Sequence, residues 1–281
     1  YYSFVKTEII ESCYRPYCKQ KLYFHKPFIE SPGLCSQFFP NNKVNNFIIS
    51  ITGIGSSKDF SSQITNRITD IQSIMNGQSF PLYYYEERKK NSPSLFDEAG
   101  GSEYIQRDGV SDFILERAIA IYGNRVSKED IFYYVYGILH SKDYRNTFAN
   151  DLKKMLPRIP LVDEPRDFWK FSKAGKALAD LHINYEEVPP AKGVIVMYGK
   201  VPKDSIQEAM DSNNLETINY KVSKMKFPKK DQKETIIYNS QITINNIPEK
   251  AYEYVVNGKS AIDWIIERYQ VKTDKKSGIT N

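Results

Sequence analysis

The hydrophobic period of this chain changes three times, and that alternation restricts it to folds whose strands and helices occupy separate stretches. Up to about residue 93 the apolar runs are short, at 21–24, 47–51 and 80–85, and are broken by Pro, Gly and Asn, which reads as strands with loops. A polar stretch over 91–108 follows, with Ser92, Pro93, Ser94, Gly100, Gly101 and Ser102, and is expected to be a surface loop or linker.

The period then becomes helical. Ser127 with Asp130 forms a capping-box pattern ahead of Ile131, Tyr134, Val135, Ile138 and Leu139. A second helix is predicted to carry Tyr144, Phe148, Leu152, Met155 and Leu156 on one face until Pro157 stops it. A third is predicted over 167–181, with Phe168, Phe171, Ala174, Leu178 and Leu181 inward. Pro189 and Pro190 break the chain, and β character returns at 194–198, 217–227 and 235–244. In the middle one of these, Ile218, Tyr220 and Val222 alternate while Met225 and Phe227 are out of phase, which predicts a bulge or bend near Ser223. A last helix begins at Ser260, capped with Asp263, and carries Ile262, Ile265, Ile266 and Tyr269 on one side.

The expected class is therefore α+β: a mainly β part over 1–108, a helical centre over 109–188, and strands followed by helices over 189–281, all within one bilobed unit. The apolar runs reach only about five residues, against the roughly 20 needed to cross a bilayer, so no membrane span is expected. The chain starts at Tyr1 with no initiator Met and no apolar leader, as a piece cut from a longer polypeptide would. Cys13, Cys18 and Cys35 are odd in number and clustered, which argues against a secreted disulfide framework and for a reducing, cytoplasmic setting.

No catalytic constellation emerges. Gly258-Lys259-Ser260 resembles the end of a phosphate-binding loop, but the first Gly of that motif is replaced by Glu253, so Asn257-Gly258 reads as a turn. Gly53-Ile54-Gly55 lacks the third glycine of a dinucleotide fingerprint, and the Ser56-Ser57-Lys58 after it make a polar loop able to contact phosphate. Cys13, Cys18, His25 and Cys35 lack the close pairs of a zinc site, so no metal is expected. His140 and His182 stand near helix ends, where capping or core roles are usual.

Charge distribution is more informative than the net charge of +5. Lys221, Lys224, Lys226, Lys229, Lys230 and Lys233 fall close together and are opposed only by Asp231. Such a cation-rich ribbon neutralises phosphates and releases counterions, although a solvated or edge-protecting face explains a run of lysines equally well. Aromatic and basic residues also stand side by side at Tyr14-Arg15, Tyr144-Arg145 and Tyr220-Lys221.

Several blocks resemble the C-terminal specificity region of Type ISP enzymes, the single-chain, helicase-containing Type I-like restriction-modification class. They are YRPY at 14–17, FPLYYYE at 80–86, DIFYYVYGILHSKDYR at 130–145, LKKMLPRIP at 152–160, residues 168–181 and 238–244, and AYEYVVNGKSAIDWIIERYQVKTDKKSG at 251–278. Residues 131–141 also look like a helix common to recognition domains of adenine methyltransferases and specificity subunits. The family reads Arg-Pro-Phe-Asp where this chain has Tyr17 and Cys18 in the last two places, so the family's acid has no counterpart here.

The resemblance implies recognition of double-stranded DNA on behalf of an upstream nuclease, a translocating ATPase and an adenine-N6 methyltransferase on the same polypeptide. S-adenosylmethionine, ATP and Mg would serve those domains, since this chain has no Asn-Pro-Pro-Tyr and no helicase motifs and is expected to hold no cofactor. Arg15, Lys58, Arg145 and Arg158 are the expected positioning or readout residues, with Lys221, Lys224 and Lys226 tracking phosphates. Arg158 lies between Pro157 and Ile159-Pro160, a stiff backbone that presents a guanidinium cheaply, with a structural salt bridge as the alternative. Two rival readings stand beside this one: a scaffold docking onto other domains of the parent chain without touching DNA, and a small enzyme using His140 or His182 with a carboxylate.

Overall fold

The computed structural model describes residues 3–31, 33–88, 103–199, 201–202, 219–222 and 224–280. Its contacts divide the chain into two compact units, Tyr1–Glu186 and Glu187–Asn281. The fold is α+β, with short strands in several small sheets.

In the first unit the strands are β1 (Ile9–Arg15), β2 (Cys18–Tyr23), β3 (Ile48–Ile51), β4 (Ser62–Thr65), β5 (Ile68–Thr69), β6 (Gln78–Pro81), β7 (Tyr83–Glu87) and β8 (Tyr104–Asp108). β1 and β2 form a hairpin whose turn is Pro16-Tyr17, with Tyr17 at φ 55°, and β5 joins β1 in parallel. β3 is the middle strand of β4-β3-β6 and is buried along its whole length. The apolar run 80–85 is not one strand but two. Buried Asn46 accepts from Tyr83 N at 3.0 Å and donates to Tyr83 O at 2.6 Å, so the chain leaves β3 after Pro81 and β7 pairs β8 instead. Of the expected linker, 91–102 lie outside the described residues, and 104–108 form β8.

The helices are α1 (Cys35–Phe38), α2 (Asp112–Tyr122), α3 (Lys128–His140), α4 (Lys142–Thr147) and α5 (Pro165–Ile183). α2 escaped the periodicity, although Ser111 caps it and Gly123 ends it at φ 95°. The Ser127–Asp130 capping box of α3 is complete in both directions. The predicted helix over 144–156 is cut short: α4 stops at Thr147 and turns carry the chain through residue 155. Asn146, Thr147, Asn150 and Asp151 are weak helix formers, which disfavours continuing α4 past Thr147.

The inward face of α5 agrees with the prediction in part: Phe168 is buried and Phe171 and Leu178 pack against the core, but Ala174 and Leu181 face solvent, and Ser172, Gly175 and Ala179 are buried on the side toward α3. Small residues line the contact because the helix backbones meet there: a Cβ on Gly175 would lie 2.0 Å from Tyr133 O, and one on Gly137 2.4 Å from Phe171 O. Around this seam Phe168 stacks on Tyr122 and Tyr134, with ring centroids 4.2 and 4.9 Å apart.

The second unit holds β9 (Ile195–Tyr198), β10 (Val201–Pro202), β11 (Ile236–Ile237) and β12 (Ile242–Asn245) in the order β10-β9-β12-β11. A hairpin of β13 (Val255–Val256) and β14 (Lys259–Ser260) leads into α6 (Ala261–Arg268). Asn257 and Gly258 have φ 52° and 77°, the paired positive values of a tight hairpin turn, so Gly258-Lys259-Ser260 is a turn and a helix cap. Met225, Ile236 and Ile247 centre this unit's core. In the predicted strand over 217–227, Thr217, Ile218 and Ser223, with the expected bulge, lie outside the described residues. The remainder makes one antiparallel bridge, Lys226 to Ile237, instead of a ladder. Among the described residues no helix is long and apolar enough to cross a membrane.

Candidate nucleic-acid interface

Three buried tyrosines prepare the site in the first unit. Tyr134 donates to Pro160 O at 2.6 Å and accepts from Val162 N at 3.2 Å; Tyr122 donates to Val162 O at 2.7 Å; Tyr144 donates to Arg158 O at 3.0 Å. Phenols that anchor their hydroxyls this way satisfy backbone groups that have no strand partner. The segment 158–162 is thereby fixed to α2, α3 and α4, and Arg158 extends from it exposed, with no ion pair among the described residues. The alternative of a structural salt bridge is not what this geometry contains.

Beside Arg158 the loop after β3 folds onto the turns that follow α4. Gly55 N donates to Lys153 O at 3.2 Å, Lys153 pairs with Asp59 at 3.3 Å, and Arg145 lies 5.6 Å from the Phe60 ring. Lys58 is exposed on that loop, its backbone N bonded to Ser56 Oγ at 3.0 Å. Arg145 donates from Nε to Leu139 O at 2.5 Å, tying α4 to the end of α3. Lys58, Arg145 and Arg158 are thus gathered around α4, joined by exposed Lys153 and Lys154, which the sequence reading passed over. An apolar groove of about 260 Å³, lined in part by Ile51, Phe80, Val110, Phe132, Leu156 and Pro157, opens next to this segment.

Arg15 is engaged within the fold. Its guanidinium donates to Asp70 at 2.8 Å and to Tyr14 O at 2.6 Å, lies 4.0 Å from the Tyr14 ring centroid, and leaves the side chain only 18% exposed. The residue locks the β1–β2 turn to the segment after β5.

A basic concavity that periodicity had hidden lies where α5 meets the turn before α3. Arg125, Arg166, Lys170 and Lys173 line it around Trp169. Asp167 pairs with Arg166 at 3.7 Å and with Lys170 at 3.1 Å, which leaves the positive charge in excess. Arg166, Lys170 and Lys173 recur at helical spacing, a signal present in the sequence; that Arg125 joins them depends on the fold.

In the second unit Lys221, Lys224, Lys226, Lys229, Lys230 and Lys233 are all exposed. Lys233 lies 5.0 Å from the Tyr252 ring and 5.8 Å from that of Phe227.

His140 and His182 do meet, with rings 5.7 Å apart, in the packed interior. Tyr136 links them: its hydroxyl is 2.5 Å from His182 Nδ1 and accepts from Ile64 N at 3.1 Å, while its carbonyl is 2.9 Å from His140 Nδ1. Burial, with the Arg145 charge beside them, pushes His140 down to about 3 and His182 to about 4. Neutral imidazoles this reluctant to accept a proton are unsuited to general-base work at neutral pH. No disulfide joins Cys13, Cys18 and Cys35, and among the described residues no group of His, Cys, Asp or Glu is arranged to hold a metal ion.

Known proteins match this chain over its whole length. The family model for the Type ISP C-terminal specificity domain matches residues 1–281. A nuclease-deletion mutant of the Type ISP restriction-modification enzyme LlaGI, solved in complex with a DNA substrate mimic, is 39% identical with a TM-score of 0.77, over 100% of this chain and 18% of that one. The ATP-dependent Type ISP enzyme LlaBIII bound to DNA is 37% identical with a TM-score of 0.81, over 100% and 16%. A cryo-EM DrdV–DNA complex is 27% identical with a TM-score of 0.77, over 98% and 25%. No curated protein sequence matches. The chain thus spans between 16% and 25% of the length of those solved chains. With residues 1–281 matched by the family model, the chain belongs to the Type ISP C-terminal specificity domain family.

Proposed function

We propose that this chain recognises a specific sequence in double-stranded DNA and holds it for an adenine-N6 methyltransferase and a nuclease-translocase carried by other domains of the same polypeptide. The observation that carries the reading is the match of residues 1–281 to the Type ISP C-terminal specificity domain model, together with 37–39% identity over the whole chain to parts of two enzymes solved with DNA or a DNA mimic. S-adenosylmethionine, ATP and Mg would act in those other domains, and the location would be the cytoplasm, where thiols stay reduced.

The division of labour follows from exposure as well as from pairing. Lys58 and Lys154, with Lys153 held only by exposed Asp59, and the basic concavity around Trp169 supply phosphate contacts in the first unit, and Lys221, Lys224 and Lys226 supply them in the second. Arg158, exposed on an anchored backbone, is the residue best placed to read a base edge, since a planar fork pays little entropy when its support is rigid. Arg145 takes a positioning part by bracing the loop that bears Lys58. Arg15 is assigned to the architecture of the β1–β2 turn.

The test is binding of the protein to a randomised duplex library at low and moderate salt, with sequencing of what is retained. Enrichment of one short motif supports the reading. Retention without enrichment moves specificity to other domains, and absence of retention favours docking of a partner domain in the apolar groove beside Leu156 and Pro157.

A further inference from the structure

Residues 219–221 are irregular and pair with no strand among the described residues, yet most of their backbone groups are hydrogen-bonded. Asn239 Nδ2 donates to Asn219 O at 2.6 Å and to Lys221 O at 3.3 Å, and Tyr238 Oη donates to Tyr220 O at 2.9 Å. Asn219 N donates to Gln241 Oε1 at 2.9 Å, and Lys221 N to Asn219 Oδ1 at 2.9 Å. Side chains from the single turn between β11 and β12 therefore do what a partner strand would do. Asn239 is itself fixed, since its Oδ1 accepts from Gln241 N and Ile242 N, each at 2.8 Å.

This clamp presents Tyr220, a residue 61% exposed, beside exposed Lys221. An aromatic residue on a flexible surface loop is common; one on a backbone held by five hydrogen bonds has had the entropy of ordering removed in advance. The Tyr220 hydroxyl is turned toward Tyr198 Oη, 3.5 Å away, and the two rings meet at 82°. What remains for a ligand is the ring and not the hydroxyl.

We infer that Tyr220 packs its ring on the apolar side of a deoxyribose, or on a base that has left the stack, while Lys221 takes the adjoining phosphate, and that Asn239 is the positioning residue for both. The inference rests on the proposed DNA-binding role and adds to it a contact that salt does not screen. Ring stacking on a nucleotide contributes a sequence-tolerant part of affinity, distinct from counterion release.

The experiment measures affinity of the protein for its enriched duplex across a salt series, with the parent and Tyr220→Ala, Tyr220→Phe, Lys221→Ala, Asn239→Asp and the Tyr220→Ala/Asn239→Asp pair. Expected are a loss of roughly 5- to 50-fold for Tyr220→Ala with the salt slope unchanged, near-parental binding for Tyr220→Phe, and a slope lower by about one for Lys221→Ala. Asn239→Asp replaces the donating amide with an oxygen. It should weaken the parent more than it weakens the Tyr220→Ala protein, where only the Lys221 contact is left to position, whereas a merely structural role would lower both equally. Parental affinity for Tyr220→Ala, or additive losses in the pair, overturns the inference while leaving DNA recognition intact. If the parent itself retains no duplex, the recognition reading fails and this contact falls with it.

Discussion

Replacing Gly175 with alanine sets helix propensity directly against packing. On an unencumbered helix the change would stabilise by about 1 kcal/mol, because glycine loses the most backbone entropy on folding. At this position the new Cβ would stand 2.0 Å from Tyr133 O, 2.8 Å from Gly137 N and 3.0 Å from Tyr133 C, all of them backbone atoms that no rotamer change removes. Relief requires α3 and α5 to separate by about 1 Å, and gaps of that size forfeit a quarter to a half of each dispersion contact along the seam. Phe168 and Ala179, both fully buried, lie on that seam, so the loss outweighs the propensity gain. Overpacking of this kind costs about 1–3 kcal/mol, and the upper end applies where the backbone must move; less the propensity gain of about 1 kcal/mol, the net expectation is a destabilisation of about 2 kcal/mol. Urea unfolding followed by far-UV circular dichroism measures it. Ala174→Gly, on the exposed side of the same helix, serves as the control and should cost about 1 kcal/mol. A Gly175→Ala protein as stable as the parent, or more so, would refute the close crossing.

Acid should weaken the first unit before carboxylates titrate. His140 and His182 have folded pKa values of about 3 and about 4 against 6.5 unperturbed, so as pH falls below 6.5 the unfolded chain takes up protons that the folded chain refuses. Stability is therefore full above 6.5 and declines by about 1.4 kcal/mol per pH unit for each imidazole, until the folded pKa is reached. Unfolding free energies from neutral pH down to about pH 5 should show a slope near two protons, reduced to about one by His182→Gln; a flat profile would mean the rings are not buried neutral. Changing Lys224 and Lys226 together to alanine should weaken binding to all duplexes and reduce the salt slope by about two, and an unchanged slope would remove that segment from the interface. Arg158→Ala should relax preference at one position of the enriched motif, with a discrimination loss of about 1–3 kcal/mol; retention of both affinity and preference would assign the guanidinium no part in readout.

Local rules written into the residues determined a good deal of this protein. The Ser127–Asp130 capping box, the Asn257-Gly258 turn and the return of strands after Pro189-Pro190 are short-range features, and short-range sterics and hydrogen bonding are enough to specify them. The family resemblance was legible for a similar reason, since long blocks of mixed polar and aromatic residues carry more information than any glycine pattern. Which face of α5 turns inward was decided by tertiary structure: Leu181 is the more hydrophobic residue, yet Ser172, Gly175 and Ala179 take the contact because only small side chains let two helix backbones approach so closely. The fates of the arginines were decided the same way. Arg15 and Arg158 are equally cationic in the sequence, but one meets Asp70 across the sheet and the other stands clear on a segment anchored by Tyr144, Tyr134 and Tyr122. Charge is a property of the residue, whereas its availability to a ligand depends on neighbours that only the folded chain brings within reach.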